Sequence, residues 1–154
     1  MSINFKLVSE FTTIQRRSKE PTDPTILKPT SVNPLLDGEW LKLHATLDKV
    51  QRGSGDAGAD EPSWAWFAEQ GRYEVQAIQR GPLLWLGEYE VDTKIVDGTG
   101  ITTNGQPLMV SDVTIGGLVK RGLKLRTGTN HIVGRVTKLP GINGNFLRFM
   151  TMRN

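Results

Sequence analysis

The chain has 154 residues with 37% hydrophobic and 23% charged side chains, no cysteine and a formal net charge of +3. That length suits one domain able to bury a core without metal or disulfide, and the missing cysteines exclude a disulfide scaffold, a thiol nucleophile and a Cys-based zinc or iron–sulfur site. The charge is unevenly spread, at +2 over 1–35, −6 over 36–109 and +7 over 110–154, which fits a nucleic-acid face or, better, complementary surfaces within one barrel or between subunits.

Residues 1–35 read as an extended arm. Pro21, Pro24, Pro29 and Pro34 recur among polar residues. Each fixes its own φ and pushes the preceding residue to extended geometry, so a helix is not expected there. Phe5, Leu7 and Phe11 near its start, and Ile26 and Leu27 within it, are apolar side chains that need somewhere to dock. Met1–Glu10 carries charge and no apolar run of signal length, and no stretch reaches the roughly 20 apolar residues of a bilayer span. A soluble protein without a cleaved signal and without a membrane partner is expected.

The body, 36–154, reads as strands. Leu41, Leu43, Ala45 and Leu47 alternate with polar residues, the period of a half-buried strand. A Gly- and Asp-rich loop spans 52–63, and the one helix candidate is Ser63–Gln70, too short to stand alone. Tyr73–Ala77 and Trp85–Val91 alternate as second and third strands. Asn104-Gly105 predicts a hairpin between Ile101–Thr103 and Leu108–Val110, with Pro107 marking an edge or bulge. A strand then ends at Gly116-Gly117, and Leu123–Arg126, Ile132–Val136 and Phe146–Met152 follow, the last after a Gly141–Asn145 turn. Strands at this spacing predict a mainly β fold, a single β-barrel or β-sandwich with the N-terminal arm appended.

No active-site pattern stands out. His44 and His131 each lack a second His or Cys at ligand spacing. Glu88, Glu90 and Asp92 share one strand face and read as a solvated face. Asp56, Asp60 and Glu61 do not match a calcium loop position for position. Gly117 and Gly122 have phosphate-loop spacing, but Leu123-Lys124-Leu125 follows where Gly-Lys-Ser/Thr is required. Neither an enzyme nor a cofactor is expected. Most of the four tryptophans are expected in the core, and Trp64 and Trp66, next to the polar loop, are the two best placed to be partly exposed. Such a pair marks a protein interface or, with Trp85, a sugar platform.

Three features together carry a resemblance. They are Lys28-Pro29-Thr30 leading to Asn33-Pro34-Leu35-Leu36-Asp37-Gly38-Glu39-Trp40-Leu41, the β-rich body, and the ending His131–Lys138 followed by Phe146–Met150. In these the chain resembles virion structural proteins of tailed bacteriophages, most of all head decoration (cement) proteins. The resemblance implies a virion location after assembly in the host cytoplasm, an oligomeric assembly, and the major capsid protein or further copies of the chain as partners. A tail or connector component would look similar. The assembly interface is expected to use Phe5, Leu7, Phe11, Ile26, Leu27, Trp64 and Trp66. A nucleic-acid-binding barrel is the alternative, with a basic face of Lys120, Arg121, Lys124, Arg126, Arg135, Lys138 and Arg148. Those cations lack interleaved aromatic residues, so nucleic acid is not the expected partner.

Overall fold

The computed structural model describes residues 3–22, 33–68, 81–142 and 144–152. Its elements are β1 (Phe5–Glu10), β2 (Gln15–Pro21), β3 (Trp40–Leu43), β4 (Lys49–Gln51), β5 (Trp64–Ala65), β6 (Gly81–Leu86), β7 (Tyr89–Thr93), β8 (Pro107–Ile115), β9 (Leu118–Leu125), β10 (Gly134–Lys138) and β11 (Leu147–Thr151). They form a six-stranded sheet in the order β1-β7-β11-β10-β8-β9 and a five-stranded sheet in the order β5-β3-β4-β2-β6. The fold is mainly β, two curled sheets of which one is nearly barrel-shaped.

The curl of the larger sheet has a local cause. The segment after β7 crosses to β9, where Leu123 N–H donates to Ile95 O at 3.0 Å and Asp97 N–H donates to Leu123 O at 2.8 Å. Gly122 permits the approach, since a Cβ there would sit 2.4 Å from Ile95 O. The smaller sheet also curls, through a bridge between Trp66 and Leu83.

The N-terminal residues join both sheets. β1 pairs antiparallel with β7, and β2 pairs antiparallel with β6. Residues 5–21 and 81–93 thus form one ribbon that bends from one sheet into the other at residues 11–14 and 87–88. At this corner Gly87 has φ +123°, and a Cβ on it would lie 2.9 Å from Ile14 Cα. Only glycine fits both the dihedral and the space.

Inward residues follow the strand alternation. Tyr89, Val91 and Thr93 of β7 and Leu147, Phe149 and Thr151 of β11 are buried. Tyr89, Val91, Leu147 and Phe149 join Phe5, Leu108, Val110, Leu123 and Val136 in the main core. Trp40, Ala65 and Leu84 of the smaller sheet enter that same core, and Trp40 lies 6.1 Å from Phe149, ring to ring. A second cluster gathers Leu35, Leu41, Val50, Trp66, Ala68 and Leu83.

Several expectations are corrected. Residues 5–10 and 15–21 are strands of the body rather than an arm, because Phe5 is buried in the main core and β2 lies between β4 and β6. Ile26 and Leu27 lie outside the described residues, as does the expected strand at Tyr73–Ala77. The strand expected over Leu41–Leu47 ends at Leu43, where the chain turns into β4. Trp85–Val91 is two strands in different sheets, because the backbone bends at Gly87. Within the one helix candidate, residues 64–65 form β5 instead, pairing with Trp40 and Leu41. Gly105 turns with φ +87°, but Ile101–Thr103 is not a strand. Instead Gln106 Oε1 accepts from Thr102 N–H at 2.7 Å and Thr103 N–H at 3.0 Å, so the side chain holds the loop. Pro107 opens β8 inside the sheet, where a first residue needs no ladder donor. The hairpin is made at Gly116-Gly117, between β8 and β9.

Candidate assembly surface

The apolar residues expected at an interface separate in the fold. Phe5 and Trp66 are 2% exposed and belong to the two cores. Leu7 packs partly buried against the main core. Phe11 is 54% exposed. Trp64 is half-buried, its ring stacked on Trp85 at 4.5 Å and 17°, with the Arg17 guanidinium 4.8 Å from the Trp85 ring centre. In place of the Trp64–Trp66 surface pair there is a Trp64–Trp85 stack packed against the second cluster, in which Trp66 itself is buried.

The exposed apolar side chains gather at the corner of the ribbon. Phe11 lies in the bend, where its N–H donates to Glu88 O at 2.9 Å. Leu86 ends β6 just before Gly87 and is 48% exposed. Met152 lines the same shallow hollow as Leu86 and Gly87, with Trp64 and Trp85 at its wall. Val8 and Met150 flank Glu90 on the outer face of the larger sheet; Met150 pairs with it, and Val8 occupies the β1 bulge beside it. Of the ten large exposed hydrophobics among the described residues, these five lie on the corner or on the strand ends next to it, which reads as an apolar surface.

The expected basic face is broken up, because two of its cations are buried and two more are paired with carboxylates. Lys120 and Arg121 are buried at the junction of the sheets. There Glu39, fully buried, accepts from Arg52 Nε at 2.7 Å and from Arg52 Nη2 at 2.8 Å. It also accepts from the backbone N–H of Leu36 at 2.7 Å and of Arg121 at 3.0 Å. Lys120 Nζ lies 4.0 Å from Glu39 and donates to Pro34 O. Arg121 Nη1 donates to Asp112 at 2.9 Å, and its Nη2 is 3.8 Å from Glu61. Lys124 pairs with Asp56 at 2.7 Å; this contact, aided by Ser111, holds the Asp56 carboxyl below its ordinary value. Arg148 forks onto Asp92 at 2.8 and 3.1 Å, which raises its own affinity for the proton. Arg126 donates to Asn130 O and Arg135 to Gly105 O. Lys138 ends β10, half-buried. The acidic middle and basic end of the chain thus meet in part within the molecule.

A scan against protein-family models, a search of curated proteins and a search of solved structures each return no match. The arrangement must be judged on its own chemistry. His44 spends Nδ1 as an acceptor for Thr46 N–H at 3.2 Å and Leu47 N–H at 3.1 Å, closing the β3–β4 turn. Glu90 lies 3.9 Å from Arg148, beside the Asp92 fork, so these two of the three carboxylates around β7 serve an ion cluster. Among the described residues no group of three or more His, Asp or Glu could hold a metal ion. The Glu39 cluster lacked a local signature for its charge partner and its link to β9, which lie 13 and 82 residues away. Leu86 did carry a signal, since it stands in the outward phase of the Glu88–Asp92 alternation.

Proposed function

We propose that the chain is a non-enzymatic structural protein of a virion, a head decoration protein that docks on the shell of the major capsid protein and is assembled there from the host cytoplasm. The observation that carries this reading is the apolar patch at the ribbon corner, formed by Phe11, Leu86 and Met152 with Val8 and Met150 beside it. An apolar patch rimmed by polar residues is what a protein partner covers. A capsid shell repeats its own docking site many times, so modest affinity per copy gives dense occupancy. The patch sits where both sheets meet, and the Glu39 cluster ties them together, so little ordering is needed on binding. The resemblance in the Asn33–Leu41 segment and the ending favours the head. A tail or connector component using the same patch is the alternative. The nucleic-acid alternative is weakened by the partners that hold most of the seven cations.

The test uses Leu86→Glu. Leu86 is about half exposed, so the variant should still unfold cooperatively. Added to heads purified without this protein, the native chain should bind at saturable stoichiometry, and the variant at least tenfold more weakly, as expected for a side chain worth over about 1.4 kcal/mol at an interface. Equal binding by both would remove the patch from the interface.

A further inference from the structure

On the other side of Trp64 from the corner hollow lies a cleft of about 440 Å³, within the range of small-ligand sites. Its polar lining is Lys42, His44, Gln51, Asp60 and Glu61, with Trp64 as a wall. The ends of β3 and β4 supply one side and the 52–63 loop the other. Docking at the ribbon corner does not use this cleft, and the folding of the β3–β4 turn uses only one edge of His44.

We propose that the cleft binds a neutral oligosaccharide. Its chemistry combines two requirements of sugar recognition. The first is a fixed aromatic wall: Trp64 is locked by its stack on Trp85, which Arg17 covers in turn. A rigid indole loses little freedom when the C–H face of a pyranose ring lies against it. The second is a set of side chains that match hydroxyl groups, each of which donates and accepts. The Gln51 amide and the Asp60 carboxylate project into the cleft lining without an ion pair or side-chain hydrogen bond to the described residues. Glu61 Oε1 is buried between Lys42 and Arg121, so Glu61 shapes the cleft wall, and Gln51 and Asp60 supply the open acceptors and donor. His44, with Nδ1 committed to the turn, offers Nε2 as its remaining polar atom.

The charge balance selects a neutral ligand. Glu61 faces Lys42 at 3.4 Å and Arg121 at 3.8 Å, so its charge is compensated within the protein. The exposed Asp60 carboxylate at the rim repels phosphate and sulfate esters. Lys42 in the same lining disfavours a cation. A polyol gains hydrogen bonds to charged groups without bringing charge of its own, the stronger class of neutral-ligand contact.

The experiment is a titration of the full chain with neutral oligomers of glucose, galactose, mannose and N-acetylglucosamine, read by tryptophan emission and by calorimetry. At least one oligomer should give saturable binding with Kd of about 1 mM or tighter. Asp60→Ala, an exposed position that leaves the fold intact, should weaken it about tenfold, the loss of one charge-assisted hydrogen bond. Trp64→Ala should abolish it, and Leu86→Glu should leave it unchanged, which separates this site from the docking patch. Absence of saturable binding across the panel overturns the proposal. So does binding that Asp60→Ala leaves at the native strength.

Discussion

A glutamate with no solvent exposure is costly unless every lone pair is met. Glu39 meets that demand with the Arg52 fork and two backbone N–H groups. Whether such a pair adds net stability over an apolar substitute is a separate matter, but removing one partner leaves the other charge stranded. Glu39→Ala should therefore lower the unfolding free energy by about 3–5 kcal/mol in urea. Asp48→Ala, at a carboxylate that lies at the surface beside Lys19, should change it little. Equal effects would mean that the cluster does not hold the sheets together. At this scale the sequence was least legible. Lys120 and Arg121 look like solvated strand residues, and their burial follows from Pro34, Glu39 and Glu61 arriving from distant segments. Phe5 and Trp66 read as surface candidates for the same reason: alternation reports which side chains share a face, not what later covers it.

At the scale of elements, the ribbon of β1–β2 against β6–β7 organises the fold. β2 lies inside the smaller sheet, between β4 and β6, and Phe5 brings β1 into the main core. Deleting residues 1–22 would therefore remove an interior strand and a core aromatic side chain. The truncated chain should show no cooperative thermal transition by circular dichroism. A sharp transition near the native temperature would mean that these strands are an appendage after all. The C-terminal half of the fold was readable because its strands pair with neighbours in sequence through strong turn signals, as at Gly116-Gly117. The N-terminal strands were not, because β1 pairs only with β7 and β2 pairs with β6 and β4, all far along the chain rather than with a neighbour in sequence. Their prolines and charges gave the local impression of an arm. The Trp85–Val91 alternation was also real, yet a period of two cannot reveal that Gly87 bends the chain from one sheet to the other. Trp64–Ala65 shows the opposite limit: a strand of two residues is fixed by its partner Trp40–Leu41 and has no period to read.

At the scale of the whole molecule, two curled sheets share one core, their junction is locked by an internal ion cluster, and the ribbon corner presents an apolar patch. The charges that look segregated along the sequence neutralise one another in part, as at Lys124–Asp56 and Arg148–Asp92. A docking protein gains from this arrangement, since internal compensation leaves its affinity to shape and apolar contact rather than to ionic strength. Sedimentation of phage particles from a lysate producing this protein, with the chain and the major capsid protein quantified together by mass spectrometry, tests the virion assignment most directly. A decoration protein should pellet with the particles at a fixed, high ratio to the major capsid protein that survives washing in high salt. Recovery of the chain in the supernatant, with none held by the particles, would contradict it.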